Sequence, residues 1–553
     1  MKFNSFSSRI MAAILVAGFG VSSVLPAVAQ TAAPAKSIED ETKDKITIAS
    51  IKDTTAALTD PAMEGRGTGQ PGGEKAANWI ADKFRSLGLK PLGDKGSYLQ
   101  KVSFTETVID PDSAMLVGDE QMKRGEDYAV SPQTGNRSAS ASLVYVGYGI
   151  QSHEAGIDQI GSVDISGKFV VMIAGPPPGY PKDVWEKQKA QRVIMSSLFQ
   201  KRPAGFIFFS RGDEDQTEDQ AVDYYTRRRL TLSDERSGDR SDFPVFISMT
   251  EKGISKIFEK AGMTRDEALK LSIDKSFKGK ELKIKSKVTS KVNTTKAYGY
   301  NVAGVLEGSD PKLAAEAVIF SAHYDAYGKD NGKIYFGAAD NALGTAEMIS
   351  VAEAYSKLSQ KPKRSLVFLA VTGEEYGLYG SKYWAKNPTW EVKKIAADLN
   401  LDGIGSEVYG PVRTMVGYGA EHSTIGPMLD DVAKDYGVSV IPDPMPEEKV
   451  FMRSDHYSFV QRGIPSLMLL GAPAGQKEVW MKRIKDWEKT DYHQPGDTIK
   501  DNWAWEGPET VAEIMAILGW RISESPEMPS WLKTSRFSKY DRGNNKEIPE
   551  DDQ

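Results

Sequence analysis

From about Tyr298 onward the chain repeats one pattern: a short apolar run, a polar turn, then a stretch with helical periodicity. The apolar runs are Ala317 to Ser321, Ser365 to Val371, Ile395 to Leu401 and Ser466 to Leu470. In Gly344 to Leu358, the residues Met348, Val351, Ala352, Tyr355 and Leu358 line one helical face. Continuous apolar strands need cover on both sides, which helices supply in α/β proteins. The alternation therefore predicts an αβα sandwich with a mixed, mostly parallel central sheet. Thr510 to Ile522 reads as its last helix. Beyond Trp531 the Lys, Arg, Asn and Asp content predicts a flexible tail, residues 531–553.

The first half is organised differently. Glu74 to Leu87 reads as a helix on Ala76, Ala77, Ile80, Phe84 and Leu87, with Gly88 placed for a left-handed cap. The Gly-rich stretch before it, Glu64 to Gly73, lacks the Lys-Ser/Thr ending of a phosphate loop and reads as turn chemistry. Residues 110–292 carry short apolar runs (Ser142 to Tyr148, Lys168 to Ala174, Gly205 to Phe209, Phe243 to Ile247) separated by Gly, Pro and Asp. That is the pattern of a smaller β-rich domain inserted between 30–109 and 293–530.

Residues 1–29 read as a cleaved leader. Lys2 and Arg9 are its positive end, Ile10 to Leu25 its apolar core, and Ala27-Val28-Ala29 a small-residue cleavage site. Its loss takes the formal charge from −6 to −8. Gln30 to Asp44 reads as a flexible lead-in. There is no cysteine, so neither a disulfide nor a lipid-modified cysteine anchor is available. No later run is long enough to span a bilayer, and after cleavage no membrane anchor is expected. The acidic balance gives no reason to expect a nucleic-acid partner.

Five histidines are a small stock for 553 residues, and two stand in acid-rich turns. His323 lies in Ser-Ala-His-Tyr-Asp and His493 in Asp-Tyr-His-Gln-Pro-Gly-Asp-Thr. Between them come Asp340 in Gly-Ala-Ala-Asp-Asn, the pair Glu374-Glu375, and Asp402 in Asn-Leu-Asp-Gly. Several of these follow predicted strands, at the end of the sheet where open α/β folds place their sites. Asp325 can accept the second imidazole N–H of His323 and fix its tautomer. Asp340 has two oxygens with which to bridge two ions. Of two adjacent glutamates in extended backbone, one can bind metal while the other takes a proton. Two ions about 3.5–4 Å apart would activate water and clamp a tetrahedral intermediate. Imidazole with carboxylate ligands suits Zn2+, with Co2+ or Mn2+ as substitutes. Spacing alone leaves two readings open, a metal hydrolase and an ordinary α/β domain with scattered acids.

The same segments resemble the co-catalytic dizinc exopeptidases, the family of bacterial secreted leucyl-type aminopeptidases and glutamate carboxypeptidase. The matching stretches are Ser321 to Asp325, Gly337 to Asn341, Thr372 to Ser381, Asn400 to Asp402 and Tyr492 to Thr498, supported by Glu64 to Gly69, Lys90 to Gly93 with Tyr98 to Gln100, and Ser454 to Phe459. Val144 to Ile150, Asp164 to Lys168 and Pro203 to Ile207 resemble a protease-associated domain. The resemblance implies that Asp340 bridges two zinc ions, with His323 and Asp402 completing one shell and Glu375 and His493 the other. It implies Glu374 as general base, Tyr492 as donor to the developing oxyanion, and Asp325 as a support behind His323. The chain departs from the family pattern at Ala326-Tyr-Gly, Ala339 and Gly403, positions that bear on specificity and leave every ligand in place.

The remaining motifs read as structural. His456 is expected beside the site wall, and His153 and His422 in solvated loops. Arg227-Arg-Arg229 reads as a solvated charge run, and Pro176 to Gly179 as a rigid turn. The resemblance thus implies an exported zinc exopeptidase acting on peptides in the periplasm or outside the cell, by preference an aminopeptidase. The alternatives are a carboxypeptidase of the glutamate-releasing kind, with Arg453 for the terminal carboxylate, a single-zinc glutaminyl-cyclase-like transferase, and an inactive peptidase-like binding protein.

Overall fold

A mixed sheet of ten strands forms the centre of the larger part of the molecule. The computed structural model describes residues 36–152, 156–180, 185, 189–211, 218–234, 244–403, 405–473, 477–540 and 542. The leader and His153 lie outside them. The strands are β1 (Lys90–Pro91), β2 (Leu99–Ile109), β3 (Arg229–Leu232), β4 (Val292–Leu306), β5 (Ala317–His323), β6 (Ser365–Val371), β7 (Ile395–Asn400), β8 (Val412–Tyr418), β9 (Ser439–Ile441) and β10 (Ser466–Pro473). Their order is β3-β2-β4-β6-β5-β7-β10-β8-β9, with β1 paired to β4. The middle four, β6-β5-β7-β10, are parallel. Antiparallel strands flank them.

The parallel strands are apolar throughout because both faces are covered. Val318, Phe320 and Ala322 of β5 and Leu366, Phe368 and Ala370 of β6 pack into one core, while Ala317, Ile319, Val367, Leu369 and Val371 pack into another. This is the two-residue alternation of a strand. The first core is closed by α1 (Ile38–Lys45), α2 (Ile48–Leu58), α3 (Pro71–Ser86), α4 (Leu343–Ser356), α5 (Ile425–Asp435) and α6 (Glu506–Glu524). The opposite core takes Trp384 and Phe459 from two shorter helices, Tyr379–Lys386 and His456–Val460. The helices expected around Glu74, Gly344 and Thr510 are α3, α4 and α6, and Gly88 has the left-handed φ of 75° that its place after α3 requires.

The chain leaves this sheet at Ile109 and returns at Val292, where β2 and β4 pair from Val292↔Ile109 to Val302↔Leu99. Between them residues 114–290 build a second, eight-stranded sheet with helices at Ala190–Gln200, Glu251–Lys260 and Arg265–Ile273. The separation is incomplete, which corrects the sequence-based boundary. Arg229–Leu232 crosses back and pairs with β2, at the edge of the central sheet.

Two stretches expected to be flexible are packed. Ile38 to Asp44 lies in α1, where Glu39 pairs with Arg521 of α6 at 2.9 Å. Trp531 bridges to Ser423, and Phe537 is fully buried against Trp531 and Phe451. Residues 543–553 lie outside the described residues. The aromatic side chains outweigh the polar composition that predicted fraying.

The contact between α6 and β5 is close enough to test. A Cβ on Gly519 would stand 2.3 Å from Cζ of Phe320, whose ring is stacked on Phe368. Alanine gains about 1 kcal/mol in helix propensity, but overpacking a core costs about 1–3 kcal/mol. Gly519→Ala is expected to destabilise the protein by up to about 2 kcal/mol in urea unfolding, the difference between those terms. A stabilised variant would show that the ring can move.

Candidate active site

Three parallel strands end together and deliver the acids. His323 is the last residue of β5, Glu374 and Glu375 lie in a single turn of helix just after β6, and Asp402 follows β7. Asp340 comes from the loop before α4, and His493 from the loop after the helix Lys477–Thr490. Nε2 of His323 is 3.2 Å from Oδ1 of Asp340, 3.3 Å from Oδ1 of Asp402 and 3.8 Å from Oε2 of Glu374. Nε2 of His493 is 3.0 Å from Oε2 of Glu375 and 3.3 Å from Oδ2 of Asp340. The two oxygens of Asp340 thus face different imidazoles. His323, Asp340 and Asp402 form one group able to hold a metal ion, and Asp340, Glu375 and His493 a second.

Charge supports the same fit. Asp325, Asp340, Glu374, Glu375, Asp402 and Asp497 crowd this end of the sheet, and the guanidiniums of Arg66 and Arg227 are the cations that interact with them most directly among the described residues. Burial lowers the His323 imidazole, but Glu374, Asp402 and Asp340 outweigh that and hold it well above its ordinary value. Burial would raise Asp340, yet its two imidazole partners keep it well below the carboxylate range. Burial lifts the Glu374 carboxyl well above its usual range; His323 opposes this, while Asp402, Asp455 and Glu375 add to it. Burial also keeps the Tyr492 phenol neutral far above ordinary pH, with Asp340 adding to the effect. The surplus of negative charge and the two imidazoles form a donor set that suits divalent zinc.

Backbone anchors hold these loops. Arg66 is fully buried and donates to four carbonyls: Tyr324 at 2.6 Å, Leu58 at 2.8 Å, and Phe336 and Gly337 at 2.7 Å. It therefore ties the turn after His323 to the loop that carries Asp340. Asp497 accepts from the backbone N–H of Ala339 at 2.9 Å and of Asp340 at 3.1 Å. Asp402 accepts from Ser454, whose hydroxyl in turn takes a bond from Asn400. None of Arg66, Asp497 or Ser454 was singled out from the sequence, though each lies in a quoted motif. Their motifs were visible but their backbone partners were not.

Other expectations need correction. The carboxylate of Asp325 is 3.8 Å from Nδ1 of His323, too far for a hydrogen bond, and the nearer acceptor is its own carbonyl at 3.2 Å. Its oxygens instead accept from the Glu374 N–H at 3.2 Å and the Thr68 hydroxyl at 3.1 Å. Arg227 and Arg228 are 1% and 4% exposed, not solvated. Arg228 pairs with Glu106 and donates to the Thr68 carbonyl. His422 is half-buried between Phe451 and Phe537. His456 is fully buried against Phe451 and lies outside both metal-competent groups; burial lowers it to about 3.

The fold and motifs agree with known proteins. Residues 301–518 match the profile of Peptidase family M28. The chain is 36% identical over 106 residues to the vacuolar membrane protease of Clavispora lusitaniae, covering 19% of this chain and 9% of that protein. It is 32% identical over 170 residues to leupeptin-inactivating enzyme 1 of Streptomyces exfoliatus, covering 31% of this chain and 35% of that protein. The matched segments thus span about a third or less of these relatives. The aminopeptidase from Aneurinibacillus sp. strain AM-1 shares the fold, with a TM-score of 0.56 at 19% identity over 92% of this chain and 100% of that one. Residues 301–518 therefore carry the sequence pattern of Peptidase family M28 on a fold shared with a solved aminopeptidase. No described helix is long and apolar enough to cross a membrane.

The buried groups set how stability depends on pH once metal is removed. Burial raises Asp325 to about 6 and Asp455 and Asp497 to about 7. Such carboxyls bind protons more tightly folded than unfolded, so stability falls as pH rises from about 4 to 7. His493 is lowered by burial but raised more by Glu375 and Asp340, to about 9. Its contribution is full below about pH 6.5 and lost as pH rises through about 9. The lowered carboxyl of Asp340 and the lowered imidazole of His456 act oppositely, the first below about pH 4 and the second below about pH 6.5, where the three raised carboxyls outweigh it. Metal-depleted protein is expected to lose Tm steadily from about pH 5 to 9, and saturating zinc to raise Tm more at about pH 8 than at about pH 5. Thermal scans across pH would refute this if the metal-depleted Tm rose over that interval.

Proposed function

We propose that the protein is a zinc-dependent aminopeptidase that removes N-terminal residues from peptides. The observation that carries this is the pair of metal-competent groups sharing Asp340, with the Glu374 carboxyl beside them. His323 and Asp402 would hold one ion, Glu375 and His493 the other, and Asp340 both. Bound ions would supply Lewis acidity and lower the pKa of water. Glu374, with its raised pKa, takes a proton from the attacking water and passes it to the leaving amine. Tyr492, kept neutral by burial, donates its phenolic proton in a hydrogen bond to the carbonyl oxygen as negative charge develops there.

The surroundings favour release from the amino end. A cavity beside Asp340 and Glu374 has one wall of Tyr418, Met445, Val450, Met468 and Leu470, which suits an apolar side chain, and is also lined by Glu448, Arg453 and Glu488. A carboxypeptidase would need a cation for the terminal carboxylate. Arg453 lies against Tyr492 and is already faced by Glu448 and Glu488. Arg229, in the neighbouring cavity of about 840 Å³, is bonded to the Tyr224 carbonyl. That cavity is also lined by Pro132, Gln133 and Asn136 of the second sheet's region. The inserted part, read as a protease-associated domain, would there restrict the site to chain ends. Export to the periplasm or the medium belongs to the same proposal and rests on the leader-like residues 1–29.

Aminoacyl-anilides of leucine and methionine are expected to be cleaved, their N-acylated forms resisted, and acidic residues disfavoured. Glu374→Gln should lower kcat by about 10²–10⁴-fold while bound zinc, measured by metal analysis, stays unchanged. Full activity of that variant with its zinc retained would refute the role of Glu374. Preferential cleavage of N-blocked peptides from the carboxyl end would favour the carboxypeptidase instead.

A further inference from the structure

Arg227 belongs to the segment that was expected to stand apart from the peptidase domain, yet it is buried beside His493. Both its flanks are fastened to the peptidase side. Before it, the helix Glu218–Thr226 presents Asp223 to Lys333 Nζ at 2.6 Å and to the Tyr335 hydroxyl at 3.4 Å. After it, β3 pairs along β2. The guanidinium lies over the ring of Tyr327 at 4.0 Å and over that of Tyr335 at 4.4 Å. Its Nη2 donates to the carbonyl oxygen of His493 at 2.5 Å.

His493 has a φ of 57°, in the left-handed region where a side chain is disfavoured. Something must hold it there. Arg227 grips its carbonyl, and the Tyr327 hydroxyl lies 3.3 Å from its Nδ1. Tyr327 is itself under the guanidinium. Backbone and ring are thus constrained together, and Nε2 is aimed at Glu375 and Asp340. A planar guanidinium can stack on two rings and donate in its plane at once, which an ammonium cannot.

We propose that Arg227 is a positioning residue for the second metal position, formed by Asp340, Glu375 and His493, so that residues 218–232 are a working part of the active site rather than an outlying cover. This rests on the metallopeptidase assignment proposed above. Loss of a group that orients a metal ligand typically weakens metal binding by about 10–100-fold. Arg227 would act on the second position, through His493 and through Tyr327, whose hydroxyl also donates to the Glu375 carbonyl at 3.3 Å, leaving the position built on His323 and Asp402 untouched.

Zinc affinity and stoichiometry of the full chain, measured by competition with a chromophoric chelator and by metal analysis, test this. The wild type is expected to bind two ions. Arg227→Met should weaken one by about 10–100-fold and leave the other unchanged. Arg227→Lys keeps the charge, is the safer variant for folding, and should show a smaller loss at the same position. In a His493→Ala background, which already lacks the second position, Arg227→Met or Arg227→Lys should change nothing further. In a His323→Ala background either should weaken the remaining ion. Unchanged affinities at both positions, or equal loss at both, would overturn the inference. A wild type that binds no zinc would overturn the metallopeptidase assignment itself, and the inference with it.

Discussion

Mutual repulsion among buried carboxylates governs this end of the molecule. Asp325, Asp340, Glu374, Glu375, Asp402 and Asp497 converge where β5, β6 and β7 stop. Two like charges about 4 Å apart repel by about 4 kcal/mol at an effective dielectric of about 20. A few such pairs rival the whole folding free energy of a domain, about 5–15 kcal/mol. Cations or protons must therefore occupy the cluster. Burial raises the carboxyls of Asp325, Asp455 and Asp497, with neighbouring carboxylates adding to it, and the same surplus of negative charge raises the two imidazoles against their burial.

Holding ligands against this repulsion falls to residues that bond backbone. Arg66 spends its guanidinium on four carbonyls, and Asp497 its carboxylate on two N–H groups. Each joins a loop bearing a metal-competent side chain to the rest of the fold. Buried loops must satisfy their polar backbone, and here charged side chains do so, with Arg66 also tempering the local field. Arg66 itself is pulled down to about 10 by burial, partly offset by Asp497, Asp325, Glu375 and Asp340.

The second sheet is tied into the same end of the molecule. Its region supplies Arg227 to His493, Arg228 to Glu106 and Thr68, and part of the wall of the larger cavity. In one dimension these arginines are a run of three cations, which composition assigns to solvent. In three, Arg227 and Arg228 lie among Tyr327, Tyr335 and Tyr376, whose rings come from segments about a hundred or more residues away, and Arg229 lies over the nearby Tyr224. Cation–π contact and carbonyl acceptors replace the water the sequence pattern assumed.

The four parallel strands at the centre of the sheet were legible along the chain, because continuous apolar runs and three-to-four helical spacing are local properties; the flanking antiparallel strands were not. Ser365 to Val371 was legible to the residue, and Ala317 to Ser321 fell short by only two. Strand ends in an α/β sheet meet on one edge, which groups His323, Glu374, Glu375 and Asp402, whereas Asp340 and His493 joined them only through the resemblance. What stands behind those ligands was settled by contacts between distant segments. That the Asp325 carboxylate serves Glu374 N–H and Thr68 rather than the His323 ring, that Arg66 binds four carbonyls, and that Trp531 and Phe537 pin an otherwise polar tail depend on distances between segments remote in the chain. Period and composition describe neighbours along the backbone; they hold no information on which distant carbonyl or ring a folded side chain will meet.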